Sequence, residues 1–240
     1  MLSEGLLTNI KIEKHIDYLG ETNLGEAHAF IRDQGGEYIA SFPTAISIGI
    51  ALPNAIVDQL HYRSEKAVRI SYRRHAYDYI NQRLDLISSE IATLVQQQGY
   101  RAYPVPASER YDDKRICSIF SHKLAANLCG FGWIGKNCLL ITPDPGPRVR
   151  WATVLSDAPT RINNEPLTDR CGSCERCIDI CPVKAFTGRA FRPDESREMR
   201  YAADKCDAYF TKMEAEGNLR VCGMCLYICP FGMKSEGIPH

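Results

Sequence analysis

Cys171-Gly-Ser-Cys174-Glu-Arg-Cys177-Ile-Asp-Ile-Cys181-Pro182 sets three cysteines two residues apart and a fourth three residues on, just ahead of a proline. A second run, Cys222-Gly-Met-Cys225-Leu-Tyr-Ile-Cys229-Pro230, repeats much of that spacing, and Cys206 stands between the two. The pattern C-x2-C-x2-C-x3-C-P belongs to paired [4Fe–4S] clusters: three near thiolates hold one cubane and the fourth reaches across to the other. With that crossing the two runs share ligands. Cys171, Cys174 and Cys177 take Cys229 as their fourth ligand, while Cys222 and Cys225 take Cys181 and Cys206. Eight thiolates then serve two four-ligand clusters with none left over. A zinc ribbon has no use for a third cysteine at the same spacing. Disulfides suit secreted chains, and the start of this one lacks the basic region and apolar core of a signal peptide. Each proline blocks continuation of the preceding turn as helix.

Working outward, the chain has 240 residues, 29 Lys and Arg against 29 Asp and Glu, and an apolar fraction of 45%. Those values suit one packed core with a small appended module. Zero net charge lacks the basic footprint of a nucleic-acid binder, so no nucleic acid is expected as partner. The longest apolar stretch, 45–52, is too short to span a bilayer, so no membrane is expected either. Oxygen-labile clusters fit a reducing cytoplasmic compartment.

Residues 45–52 alternate, with Ile46, Ile48, Ile50 and Leu52 on one side, and predict a half-buried strand. From Tyr72 to Gln98 the period lengthens: Tyr77, Ile80, Leu84, Ile87, Ile91 and Leu94 predict a long amphipathic helix stopped by Gly99. A short extended segment follows over 101–106. A short helix over 121–128 is expected to be capped by Ser121. Segments 137–142 and 149–155 read as two strands, and 157–168 as a linker. The fold class expected is α/β. Residues 1–160 form a cofactor-binding or docking domain and 161–240 a ferredoxin-like domain with two clusters. That tail has few large aliphatic residues, so metal ligation must supply much of its folding energy.

Gly130-Phe-Gly132-Trp133-Ile-Gly135-Lys136 matches G-x-G-x-x-G, but it follows a helix and precedes a strand, the reverse of a dinucleotide site. Two readings stand side by side. In one, the backbone N–H groups hold a polar part of a cofactor. In the other, the segment is a tight turn with Trp133 and Ile134 in the core.

The stretch from Ser121 to Asn137, the Gly146-Pro-Arg-Val-Arg150 segment and the two cysteine runs, in that order, resemble the epoxyqueuosine reductase family and its relatives, the corrinoid-dependent reductive dehalogenases. The resemblance covers roughly residues 72–232. It implies a modified nitroreductase-like α/β domain with a bacterial-ferredoxin-like module at its C-terminal end. It also implies a cobalamin beside the clusters, with Gly130, Gly132, Trp133, Gly135 and Lys136 as the cofactor-binding turn. The family's aspartate general acid falls here on Ile116 or Cys117, with Asp112 and Asp113 just upstream. The helical-repeat extension that helps the long reductases hold tRNA does not follow before His240, which strengthens the expectation of no nucleic acid. Candidate catalytic residues are Cys117, Asp113 and His122, whereas Cys129 and Cys138 read as small buried hydrophobes. Two functions fit: a reductase with a corrinoid or flavin, or a carrier that passes electrons to a redox partner protein.

Overall fold

The computed structural model describes residues 4–160, 162 and 164–233. They fall into two compact units, one of residues 1–50, 77–131 and 150–167, the other of 51–76, 132–149 and 168–240.

The first unit is built on a sheet of strands β1 (Tyr18–Asn23), β2 (Thr44–Ala51), β3 (Ala102–Val105) and β6 (Val149–Ser156), in the order β1-β2-β6-β3. Strand β1 runs antiparallel to β2, with Tyr18 opposite Gly49 and Asn23 opposite Thr44. Strand β3 runs antiparallel to β6, with Ala102 opposite Ser156. Strand β2 departs from expectation. It is buried on both faces, not one: Ala45 and Ser47 are as inaccessible as Ile46 and Ile48. It lies inside the sheet, and aromatic rings press on glycines of β2 and of its neighbour β1. A side chain at Gly49 would stand 2.5 Å from Trp151, and one at Gly20 would stand 2.8 Å from Phe131. Those two rings stack at 5.9 Å and both meet Tyr18. Small residues therefore mark a packed face here, not a solvated one.

The helix proper spans Ile80–Gln97 and buries Ile80, Leu84, Ile87, Ile91 and Val95, a stripe at three- and four-residue steps. Leu94 lies to the side of it, half-buried. The expected start at Tyr72 is replaced by a π-helical stretch, Arg73–Tyr79. Gly99 does stop the helix: at φ 88° it lets its own N–H reach the Gln96 carbonyl and that of Tyr100 reach Val95. The short helix is His122–Leu128, but Ser121 makes no side-chain cap to it. Leu24, Ile31, Ile39, Phe42, Val105 and Leu155 belong to one core cluster of this unit.

In the second unit, β4 (Trp133–Ile134) and β5 (Leu140–Ile141) form a small antiparallel hairpin. The two strands expected over 137–142 and 149–155 thus belong to different sheets. The observed division also differs from a single cut between 160 and 161. Segments 51–76 and 132–149 join the cysteine runs because those runs bring too little apolar surface to close a core. Val57 and Leu60 supply it, fully buried. A side chain at Gly223 would stand 2.7 Å from Leu60. Arg148, 1% exposed, ties the segments together, donating to Asp58 at 2.7 Å and Asn54 at 3.1 Å. Among the described residues no helix is long and apolar enough to cross a membrane.

Candidate metal centre

Each cysteine run folds as a tight turn followed by one turn of helix. In the first, the Asp169 carboxylate accepts the Cys171 N–H at 2.8 Å and Gly172 adopts φ 51°, which bends the chain into the helix Arg176–Asp179. In the second, Gly223 at φ 66° opens the helix Met224–Tyr227. Both helices stop before the last cysteine of the run, and Pro230 starts a separate 3₁₀ turn. Cys181 and Cys229 therefore leave the direction of their neighbours and are the most buried of the eight, at 7% and 6% exposure. Cys206 comes from a different element, the helix Ala203–Ala215.

The thiols sort into two groups. Cys171, Cys174, Cys177 and Cys229 line one cavity. Burial first, and then the fields of Cys171 and Cys174, push the Cys177 thiol up to about 11. Burial pushes Cys229 up to about 12, with Cys171, Cys177 and Cys174 adding to it although they belong to the other run. Burial likewise raises Cys225, whose strongest thiol neighbours are Cys222, Cys206 and Cys181. Burial also raises Cys206, which feels Cys222 and Cys181. Among the described residues no three His, Cys, Asp or Glu side chains converge on one point as ligands of a single ion do. Thiolates on a polynuclear cluster are spread over its corners and need no such point.

Polar groups already face the sulfurs. The Ala185 N–H donates to Cys181 Sγ at 3.4 Å. The hydroxyl of Tyr201 and the charge of Arg63 act on Cys206 and Cys222 respectively. Trp133 is buried edge-on to Phe231 at 4.7 Å, and its indole N–H meets no acceptor in good hydrogen-bond geometry. The acceptor whose charge it favours is Cys171 Sγ, with the Lys136 backbone N–H on the same sulfur. Buried N–H donors left short of an acceptor but near a sulfur suit a charged cluster. Cys138 is buried, with the Arg200 guanidinium 3.7 Å from its sulfur.

The glycines of the turn are closely approached by the chain itself. A side chain on Gly132 would stand 2.1 Å from the Ile141 carbonyl, and one on Gly135 would stand 2.3 Å from the Ile141 side chain. One on Gly130 would stand 3.1 Å from the Glu165 carbonyl. These glycines admit the chain's own backbone and side chains. The core reading holds for Trp133 and Ile134, at 2% and 8% exposure. Lys136 donates through Nζ to the carbonyls of Gly172 at 2.8 Å and Cys174 at 3.2 Å. No motif search links a lysine to carbonyls that far along the chain.

The candidate catalytic residues lie in the first unit. Cys117 pairs by backbone with Asp112. Asp112 closes a turn by accepting the N–H groups of Arg115 and Lys114, bonds that hold its carboxyl below the usual range. Asp113 is 90% exposed and 3.6 Å from Arg110. Cys129 is a core thiol pushed up to about 12 by burial. His122 is half-buried: Nε2 donates to the Pro106 carbonyl at 3.0 Å, which leaves Nδ1 to accept from Thr153 at 3.0 Å. Burial, with the Arg150 charge, lowers it to about 4. A histidine depressed below its ordinary 6.5 stabilises the fold fully above that value. The contribution is lost as pH falls from 6.5 toward 4, because the unfolded chain takes up the proton first. The stability difference between the wild type and His122→Gln is expected to shrink by about 2 kcal/mol between pH 7 and pH 4. Denaturant unfolding at the two pH values checks it, and a constant difference would count against the buried neutral ring.

Comparison with known proteins bears on this geometry. Residues 170–232 match the family described as a 4Fe-4S double cluster binding domain. The epoxyqueuosine reductase of Pseudomonas aeruginosa is 27% identical over 230 residues, which cover 89% of this chain and 58% of that protein. The chain spans about half the length of the curated relatives it matches. Among solved structures, a reductive dehalogenase whose structure suggests a mechanism for B12-dependent dehalogenation superposes with a TM-score of 0.64 at 19% identity, over 94% of this chain and 32% of that one. An epoxyqueuosine reductase holding an epoxyqueuosine-modified tRNA stem loop superposes with a TM-score of 0.57 at 18% identity, over 95% and 65%. That neighbour holds an RNA, so the fold is compatible with a nucleic-acid partner, against the expectation drawn from zero net charge. The chain is a relative of the epoxyqueuosine reductases, with an α/β fold that carries a 4Fe-4S double cluster binding domain at residues 170–232.

Proposed function

We propose that this chain is an iron–sulfur reductase that passes electrons through two [4Fe–4S] clusters to a corrinoid, held in its α/β unit or on a partner protein. The observation that carries the reading is the cavity shared by Cys171, Cys174, Cys177 and Cys229, thiols from two separate runs. In this reading they hold one cluster, and Cys181, Cys206, Cys222 and Cys225 hold the other. When bound, the clusters carry single electrons and a corrinoid couples them into a two-electron reduction. The residues keep the sulfurs out of water, aim N–H donors at them and fix the crossing.

Asp112 favours electron delivery over reduction of an organic substrate in the first unit, because the latter also needs a proton donor. Held below the usual carboxylate range by its turn, Asp112 stays ionised at neutral pH, and Asp113 lies in solvent. A structured RNA joins the proposed partners on the strength of the tRNA-bound relative. A salt-dependent gel shift tests that part.

The main test is anaerobic purification from cells supplied with cobalamin, followed by iron and sulfide analysis and a visible spectrum. About eight irons and eight sulfides per chain are expected, with corrinoid bands above the broad cluster absorption. About four irons, or stoichiometric zinc, would overturn the two-cluster reading. Full iron without corrinoid uptake would leave a carrier, and flavin bands would point to a flavin-dependent reductase.

A further inference from the structure

We propose that Lys136 and Trp133 raise the reduction potential of the cluster held by Cys171, Cys174, Cys177 and Cys229. The inference rests on the ligand assignment above and assigns the glycine turn a new role.

Lys136 lines the same cavity as those four thiols and is only 9% exposed. Its ammonium is fixed by the Gly172 and Cys174 carbonyls, both within the first cysteine run. Among the described residues these carbonyls are its only hydrogen-bond or ion-pair partners, so no carboxylate neutralises it. The Trp133 indole N–H is buried beside the first cysteine run without a hydrogen-bond partner of its own, a donor free for a cluster sulfur, and with the Lys136 backbone N–H it favours charge on Cys171 Sγ. Reduction adds one electron to a centre that already carries four thiolates. A cation held out of water beside it stabilises the added charge more than a solvated one does. Hydrogen bonds to cluster sulfurs are a further control on potential. The balance is simple: the cluster gains one electron from the external reductant, and no bond forms or breaks.

The consequence is directional. Removing the charge moves the resting place of a single electron toward the second group of thiols. Lys136→Gln keeps an N–H donor for the carbonyls and removes the charge, whereas Lys136→Arg keeps the charge. Trp133→Phe keeps the ring against Phe231 and removes only the N–H.

The test is an EPR-monitored redox titration of the full chain after anaerobic reconstitution. Lys136→Gln is expected to shift the reduction equilibrium of one cluster at least tenfold toward the oxidised form, about 59 mV for a one-electron couple. That cluster is the one whose signal Cys174→Ser removes, and the other should keep its midpoint. Lys136→Arg should restore most of the shift, and Trp133→Phe should lower the same midpoint by a smaller step. Unmoved midpoints in variants that carry full iron would overturn the inference, as would equal shifts of both clusters. Should Lys136→Gln lose iron, Trp133→Phe decides alone. Wild-type protein without the iron of two clusters would instead sink the ligand assignment beneath it.

Discussion

Cys181→Ser is expected to abolish the EPR signal that Cys206→Ser and Cys225→Ser abolish, and to spare the signal lost in Cys174→Ser. The reason lies in how each run ends. The helix Arg176–Asp179 stops short of Cys181, so the chain turns away from the cavity where Cys171, Cys174 and Cys177 meet Cys229. Cys181 enters instead the fields of Cys206, Cys222 and Cys225 and packs against Ala185 and Phe186. Removing one thiolate leaves one iron of a cubane without its protein ligand. The expected loss is one full cluster, about four of about eight irons, with the other intact. Iron analysis of each single variant together with EPR of the reduced protein decides it. If Cys181→Ser and Cys174→Ser remove the same signal, the crossing is wrong.

Gly132→Val should cost both stability and iron. Its first added carbon would stand 2.1 Å from the Ile141 carbonyl, an atom of backbone that belongs to the β4–β5 hairpin and cannot swing aside. Relief requires the hairpin to open, which displaces Trp133 and Lys136 from the first cysteine run. Overpacking of this kind costs about 3 kcal/mol, the upper end of its usual range. Because ligation supplies folding energy to this unit, a displaced run binds iron more weakly. Thermal unfolding and iron content of Gly132→Val and Gly132→Ala check this together. Full iron at wild-type stability would show that the turn is open enough for a cofactor after all.

The resemblance implies a cofactor-binding role for this glycine turn, while spacing alone leaves cofactor and core open. The bareness was legible, but the approaching group was not. A glycine reports only that something comes close. Here Ile141 does so, a few residues on, after a turn whose direction no periodicity encodes. Strand β2 is a parallel case: Ala45, Ser47 and Gly49 look like a solvent face until Trp151 is placed over Gly49 and the core cluster around Ala45.

What the sequence determined by itself is the ligand chemistry. Spacings of two and three residues act within one or two turns of chain, and eight thiolates fill two four-ligand clusters, whereas which run supplies each fourth ligand is not a matter of count. The helix Ile80–Gln97 and its stop at Gly99 were likewise local, carried by a 3.6-residue period and a single positive φ. Tertiary structure alone decided which residues complete the metal unit. Segments 51–76 and 132–149 precede the cysteine runs and share no spacing with them, yet they belong to the same compact unit. The cause is burial: a cysteine-rich tail short of aliphatic side chains shares its unit with Leu60, Val57 and Trp133, buried residues from far earlier in the chain.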